Sequence, residues 1–222
     1  MHFVYGEREL DHLRKRDKRL ARVIDRVGPV RREVDPDLFS AVVHHIVGQQ
    51  ISTKALATVW GRFRGSLGTV NAVTVLGAGE EGLRALGLSG RKASYILDFA
   101  ERVDEGSFDL DAVRAMGDAD AVAALSSLKG VGVWTAEMIL LFCLQRPDVF
   151  SYGDLAIHRG LRMVYRHREV GPERFERYRR RFSPYGSVAS LYLWAVAGGA
   201  VTELSDPAVS VARGRRGGRG AS

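Results

Sequence analysis

Apolar residues recur along this chain mainly at the three- and four-residue spacings of amphipathic α-helices, and no segment sustains a two-residue alternation. The first helical segment covers residues 8–27 and is rich in charge. Its apolar positions are compatible with one helical face: Leu10, Leu13, Leu20, Val23, Ile24 and Val27. Gly28 and Pro29 then end the pattern, so we predict a single helix here with a solvated charged face.

Segments of the same kind follow through the rest of the chain. The pattern predicts helices over 37–49, 53–64, 69–76, 79–86, 90–105, 109–115, 118–127, 133–144, 154–166, 172–182 and 185–203. Ser52, Asp109 and Asp118 occupy expected N-cap positions, because their side chains can accept hydrogen bonds from the first amides of a helix. Residues 69–76 also come nearest to a β-strand pattern, and that alternative stays open. We therefore predict an all-α protein.

Length and charge limit what such a protein can be. The chain has 222 residues, of which 45% are apolar, so it can form one large domain or two smaller lobes with a hydrophobic core. The formal net charge is +7, which favours polyanionic partners. Several arginines lie in the Gly/Arg-rich segment 205–222. This segment is too poor in apolar residues to bury a core, and we predict that it is disordered.

The cysteine count and the apolar runs exclude several classes of protein. Cys143 is the only cysteine, so an internal disulfide is impossible and an iron–sulfur cluster or cysteine-bound zinc is not expected. We predict that it is a buried thiol that packs as a small apolar residue. No apolar run reaches the roughly 18 residues of a membrane span, and the amino terminus becomes charged too early for a signal peptide. An intracellular location is therefore expected, with no membrane partner.

Two features could carry chemistry. Between predicted helices lies the run Leu128-Lys129-Gly130-Val131-Gly132, whose glycines permit a tight hairpin, and whose following helix offers free amides to a phosphate. The same glycines could form only a tight connection between helices. Asp154 lies 22 residues after Gly132, before an apolar helical segment. Taken alone, this aspartate is most simply a helix N-cap, and the two roles can coexist.

The stretch from Ser126 to Gly160 contains this hairpin, then a loop with Pro147 and Gly153, and then Asp154. In this order and spacing it resembles the HhH-GPD superfamily of DNA base-excision glycosylases, and the resemblance spans roughly residues 37–200. It implies a two-lobed helical fold with a central cleft. One lobe would span 36–149, and the other would combine 1–35 with 150–204, which carries the catalytic aspartate.

The resemblance also implies roles for the residues of the hairpin and the loop. Hairpin amides would bind a DNA phosphate, through the set Lys129, Gly130, Val131, Gly132 and Thr135. The carbonyls of Leu128 and Val131 would hold Na⁺ or K⁺, and no other cofactor is required. Asp154 would be the catalytic carboxylate, because cleavage of an N-glycosidic bond builds positive charge on the sugar.

Trp134 distinguishes this chain from some members of the superfamily that it resembles. Members that also cut the strand have a lysine at this place, which forms a Schiff base with the sugar, and an indole cannot do so. The tryptophan resembles the alkylpurine branch and would stack on a flipped cationic base. The proposed base pocket contains Trp134, Trp194, Tyr152, Phe39, Met138 and Leu155. Met138 and Leu155 stand where the best-known enzyme of this branch has tyrosines, so a less aromatic pocket is expected.

The turn after Gly48 resembles the loop that this family inserts into the minor groove. Its residues are Gln49, Gln50, Ile51 and Ser52, with either Gln50 or Ile51 as the wedge, although a plain interhelical turn is the alternative. Arg159 is a candidate phosphate contact.

The resemblance therefore implies a monomeric, monofunctional enzyme that removes 3-methyladenine and 7-methylguanine from double-stranded DNA. The alternatives are a glycosylase for deaminated or mismatched bases, and a non-catalytic DNA-binding module.

Overall fold

The computed structural model of the protein describes residues 1–208, and this range contains helices and no β-strand. The all-α prediction is therefore confirmed. The helices are α1 (Glu7–Arg16), α2 (Lys18–Val27), α3 (Leu38–Gly48), α4 (Thr53–Leu67), α5 (Ala72–Ala85), α6 (Gly90–Asp104), α7 (Leu110–Ala115), α8 (Asp118–Ser126), α9 (Val133–Phe142), α10 (Leu155–Tyr165), α11 (Pro172–Phe182) and α12 (Gly186–Ala197). Within the same range, no helix has both the length and the apolar character of a membrane span.

The chain divides into two compact units. The first consists of Met1 with Glu33–Gln145, and the second of His2–Arg32 with residues 146–208 of the described chain. The sequence placed the second boundary at residue 149. Residues 146–149 instead belong to the second unit, where Ser187 donates its hydroxyl to the Arg146 carbonyl at 2.5 Å and accepts the Val149 amide at 2.9 Å.

The core of the first unit is built around α3 and α9. Helix α9 is apolar around most of its circumference, and Ala136, Ile139 and Leu141 are fully buried. Helix α3 contributes Val42 and Ile46, which are also fully buried. Cys143 follows α9 and is buried, and burial raises the pKa of its thiol to about 12. The prediction of a thiol that packs as an apolar residue is therefore confirmed.

In the second unit, α10 packs directly against α12. At Gly160 the backbones come so close that an added Cβ would lie 2.5 Å from the carbonyl oxygen of Leu193. Only glycine fits at this contact. Tyr192 and Leu161 are fully buried on the same pair of helices. This close packing fixes the start of α10, where the aspartate of interest lies.

The single helix predicted over 8–27 is wrong. The chain forms α1 and α2, separated by Asp17, whose backbone is extended. The Asp17 carboxylate caps α2 by accepting the amides of Arg19 and Leu20, both at 2.9 Å. Its second oxygen accepts a hydrogen bond from Arg181 at 2.7 Å. A buried aspartate with these partners favours an N-cap over a helix interior.

Other helix limits also differ from the predictions. The strand alternative for 69–76 is wrong, because Ala72 begins α5. The two short helices predicted near it are parts of α5, interrupted at Gly79 with φ +62°. Asp109 caps α7 as predicted, whereas α8 is capped by Gly117, so Asp118 is its first helical residue. Helix α12 ends at Ala197, six residues earlier than predicted.

The segment 205–222 was predicted to be disordered from its start. Asp206, near its start, instead has defined contacts, because it is buried and paired with Arg162 through bonds of 2.9 and 2.5 Å. This ion pair lowers the pKa of Asp206, chiefly through the hydrogen bond from Arg162. The rest of the predicted tail, residues 209–222, lies outside the described residues.

Candidate active site

The glycine hairpin joins α8 to α9 in the first unit. Gly130 adopts φ +81°, a conformation that other residues rarely adopt, and the Val131 amide bonds back to the Leu128 carbonyl at 3.1 Å. Gly132 is the N-cap of α9 and supplies no side-chain cap. A Cβ added at Gly132 would meet no atom within 4 Å. The space beside Gly132 is therefore open, and the first amides of the helix that follows have no intrahelical partner, as an anion site requires.

Neighbouring residues hold this hairpin in place. The ring of Tyr95 lies against Gly130, where an added Cβ would be 2.4 Å from ring atom Cδ2. The Lys129 ammonium is paired with the carboxylate of Asp98. Thr135 is buried in the first turn of α9. Of the carbonyls suggested for a monovalent cation, that of Leu128 already accepts one hydrogen bond, and a carbonyl oxygen has a second lone pair for an ion.

The turn between α3 and α4 has an unusual backbone. Gln50 adopts φ +57°, which is uncommon for a residue with a side chain, and both Gln50 and Ile51 are exposed. Ser52 caps α4 by accepting the Ala55 amide at 3.2 Å. Gln49 turns toward the hairpin and donates its side-chain amide to the Gly130 carbonyl at 2.6 Å. The four predicted wedge residues therefore form two groups. Gln50 and Ile51 are exposed to solvent, whereas Gln49 and Ser52 make hydrogen bonds that support the turn.

Asp154 is the N-cap of α10 in the second unit, and it exposes only 6% of its surface. Its Oδ1 accepts the amides of Ala156 and Ile157 at 2.9 and 2.8 Å. The indole nitrogen Nε1 of Trp194 donates to the same oxygen at 3.0 Å. Three N–H groups therefore hold one carboxylate oxygen, which fixes the orientation of the whole group. A carboxylate fixed in this way can stabilise a developing positive charge.

Aromatic and apolar side chains surround the chain near Asp154. Tyr152 is half exposed, and its ring makes edge contacts with His158 at 5.0 Å and with Phe175 at 5.1 Å. Leu155 is 85% exposed. Both residues are therefore accessible to solvent. Trp194 is partly buried, and its polar edge is engaged by Asp154, a contact that the sequence did not predict.

The predicted pocket residues of the first unit fall into two groups. Trp134, in the first turn of α9, is 45% exposed. Phe39 and Met138 each expose only 3%. Phe39 stacks on Phe99 with ring centroids 4.8 Å apart. This packing makes Phe39 and Met138 part of the hydrophobic core, so the structure does not support pocket roles for them.

Arg159, the predicted phosphate contact, lies one turn into α10. Its side chain is about half exposed and its Nε is 4.0 Å from Asp206. Arg162 makes the closer ion pair with Asp206, at 2.5 Å. The positive charge of Arg159 is therefore partly balanced by the carboxylate of Asp206. The exposed part of its side chain can still contact a ligand.

Sequence reasoning missed a set of polar residues that support the site. Lys92 lies in the first turn of α6. Its ammonium donates to the carbonyls of Val47 and Gln49 at 2.8 and 2.6 Å. Asp148 accepts the Gly186 amide at 3.0 Å and so ties the loop before Asp154 to α12. Neither contact has a local sequence signal, because the partners lie about 40 residues away.

Comparison with known proteins shows which family this chain resembles in sequence and in fold. The sequence profile of HhH-GPD superfamily base excision DNA repair proteins matches residues 43–184, more than half of the chain. DNA-3-methyladenine glycosylase 1 of Schizosaccharomyces pombe is 26% identical over 196 residues, which cover 85% of each protein.

Two solved structures are also similar. That of DNA-3-methyladenine glycosidase from Bacillus halodurans has a TM-score of 0.80 at 32% identity, and the match covers 91% of this chain and 95% of that one. That of the S. pombe 3-methyladenine DNA glycosylase in complex with abasic DNA has a TM-score of 0.75 at 25% identity, with coverage of 86% and 97%.

Proposed function

The chain belongs to the HhH-GPD superfamily of base excision DNA repair proteins, and from this membership we propose that it is a monofunctional DNA glycosylase for alkylated purines. The substrates would be 3-methyladenine and 7-methylguanine in duplex DNA. Relatives named as 3-methyladenine glycosylases support this substrate class. The observation that carries the proposal is Asp154, a buried carboxylate held by three N–H donors at the start of α10.

The chemistry of alkylated purines suits a site with one carboxylate. A purine alkylated at N3 or N7 is already cationic, so it leaves as a neutral base without protonation by a second acid. The remaining demand is to stabilise the oxocarbenium-like sugar and orient the attacking water. Asp154 meets this demand because its orientation is fixed before substrate binds, and little reorganisation is needed in the transition state.

Trp134 supports the absence of strand cleavage. Its position, two residues after Gly132, is the one that a Schiff-base lysine occupies in bifunctional members of the family. An indole has no nucleophilic amine. Its exposed face could stack on a flipped cationic base, where a cation–π contact contributes on the order of 1–2 kcal/mol.

DNA would be bound mainly through its backbone and its minor groove. We propose that the first amides of α9 hold one phosphate and that the exposed Gln50 or Ile51 fills the gap left by the flipped base. The carbonyls of Leu128 and Val131 would bind Na⁺ or K⁺ beside that phosphate. The enzyme would act as a monomer.

Substitution Asp154→Asn tests the assignment. Asparagine is as good an N-cap as aspartate, so α10 should stay folded while the negative charge is lost. We expect release of 7-methylguanine from methylated duplex under single-turnover conditions to fall about 10²- to 10³-fold, with little change in melting temperature. Asp109→Asn, at the N-cap of α7, is the matched control and should keep full activity.

The outcomes separate the alternative functions. If the wild type releases no base at all, a non-catalytic DNA-binding module is the better reading. A panel of duplexes, each with one alkylated, deaminated or mismatched base, identifies the substrate class. Borohydride trapping should give no covalent adduct, and an adduct would refute the role given to Trp134.

A further inference from the structure

One face of α6 contacts both loops that the proposed function assigns to DNA. Lys92, Tyr95 and Asp98 follow one another at three-residue intervals, which places them along one side of the helix. Lys92 bonds to the turn after α3, Tyr95 packs on Gly130, and Asp98 pairs with Lys129 of the hairpin. We call these three residues the α6 clamp.

The first part of the clamp stabilises the end of α3. The Lys92 ammonium donates to the carbonyls of Val47 and Gln49, which lie where the helix leaves its last carbonyls without intrahelical partners. A cation at a helix C-terminus also interacts favourably with the helix dipole. Lys92 therefore fixes the backbone on the amino-terminal side of Gln50, whose φ of +57° is uncommon for a residue with a side chain.

The second part joins the turn to the hairpin. Gln49 accepts from Lys92 through its backbone carbonyl and donates through its side-chain amide to the Gly130 carbonyl at 2.6 Å. Gly130 in turn lies against Tyr95, three residues after Lys92 on α6. These contacts form a closed ring through α6, the α3–α4 turn and the hairpin. A ring of short contacts leaves the two loops little freedom to move independently.

We propose that Lys92 is a positioning residue that sets the wedge turn at a fixed distance from the phosphate-binding hairpin. The proposal rests on the proposed function, because a distance between two DNA contacts matters only if both are used. Lys92 would act through Gln50, with no phosphate bond of its own. Its ammonium already donates to two backbone carbonyls. The neighbouring Arg91 is exposed, so its guanidinium can face solvent.

The test is a double-mutant cycle on a duplex that contains a tetrahydrofuran abasic-site analogue beside 2-aminopurine. Lys92→Met keeps the aliphatic stem and removes the donors. We expect it to weaken binding roughly tenfold and to reduce the 2-aminopurine signal, because two charge-assisted hydrogen bonds are lost. In a Gln50→Ala background the same change should have little further effect, since contacts that act through one another are not additive.

Salt dependence provides a second, independent measurement. Each phosphate contact contributes about 0.9 to the slope of log affinity against log salt concentration. A positioning residue leaves this slope unchanged, so Lys92→Met should match the wild type, and Arg91→Met serves as the matched cation control. The contrary result has two parts: Lys92→Met lowers the slope by about 0.9, and it weakens binding equally whether residue 50 is Gln or Ala. That result would show that Lys92 is a phosphate ligand and would overturn the proposal.

The remaining outcomes are also informative. Unchanged binding and fluorescence in Lys92→Met would overturn the clamp. If that variant fails to fold, Gln49→Leu breaks the ring at the Gly130 carbonyl alone and should show the same non-additivity with Gln50→Ala. These measurements follow DNA binding and fluorescence and do not depend on base release. The positioning role of Lys92 can therefore be confirmed even if the protein has no glycosylase activity. Failure of the wild type to bind the abasic duplex would overturn both proposals.

Discussion

At the scale of single residues, Trp194 makes a contact that its sequence context does not predict. The sequence places it in the proposed base pocket, and the structure shows that its indole N–H bonds to Oδ1 of Asp154 at 3.0 Å. The backbone amides of α10 constrain the carboxylate from one side, and this indole adds a third donor. Trp194 is therefore a candidate positioning residue for the proposed catalytic group.

Trp194→Phe separates the two roles, because it keeps an aromatic face and removes the N–H donor. We expect the single-turnover rate at saturating enzyme to fall about tenfold, since a hydrogen bond to a charged group contributes about 1.5–3 kcal/mol. Affinity for an abasic duplex should be nearly unchanged. The measurement is release of 7-methylguanine over time at several enzyme concentrations.

Trp60→Phe is the control, because Trp60 packs against His44 and Phe63 in the first unit and has no proposed part in the reaction. If Trp194→Phe instead keeps its rate and loses affinity for the damaged base, Trp194 is a stacking residue and the positioning role is wrong.

The helix caps were the residue contacts most easily predicted from sequence. Ser52, Asp109 and Asp154 all cap the helices that the local pattern assigned to them, because a cap bonds to amides two or three residues away. Trp194 and Lys92 bond to partners 40 and 43 residues away. Such pairs depend on how helices pack, and one sequence without its fold carries no signal for them.

At the scale of elements, the α10–α12 contact determines where Asp154 and Trp194 meet. Gly160 lies at the closest approach, 2.5 Å from the Leu193 carbonyl oxygen to an added Cβ. Leu193 directly precedes Trp194 on α12. A change in the separation of these helices therefore acts on the indole and on the carboxylate that it holds.

We predict that Gly160→Ala destabilises the protein by about 1–3 kcal/mol, because a methyl group at this contact forces the two helices apart. The rate of base release should fall even at temperatures where the variant is fully folded, since the Trp194–Asp154 bond is lengthened. Urea unfolding gives the free energy change, and single-turnover assays well below the transition give the rate.

Gly61→Ala is the matched control, because it is also within a helix and its added Cβ would meet no atom within 4 Å. It should stabilise the protein by up to about 1 kcal/mol through helix propensity. Equal stability of Gly160→Ala and wild type would contradict the close packing of α10 on α12.

At the scale of the whole molecule, the second unit combines His2–Arg32 with residues that follow Gln145 in the described chain. Tyr192 donates to the Gly28 carbonyl at 3.1 Å, and Arg181 to Asp17 at 2.7 Å, each across 164 residues of sequence. Hydrophobic periodicity predicted α11 and the approximate limits of α10 in this unit, but neither the break between α1 and α2 nor the way the helices associate. The resemblance implied that residues 1–35 and 150–204 share one lobe, because the fold of a family contains long-range contacts that the periodicity of one sequence does not.

The same long-range packing determines how stability depends on pH. His45 lies on α3, and burial lowers its pKa from 6.5 to about 4, with a smaller effect from His44. The pKa of His44 is also lowered by burial, against the opposing charge of Asp35. Between pH 6.5 and 4 the unfolded chain therefore binds protons at these positions that the folded chain does not, so acidification favours unfolding.

We predict that the free energy of unfolding falls as the pH is lowered from 6.5 to about 4, by up to about 3 kcal/mol from His45 alone. His45→Gln removes the titrating group and keeps a polar side chain of similar size, so the pH dependence of the variant should be flatter over this interval. Urea titrations at half-unit steps of pH would give both curves. Parallel curves for the two proteins would show that His45 is solvated in the folded state, and the argument from its burial would then be wrong.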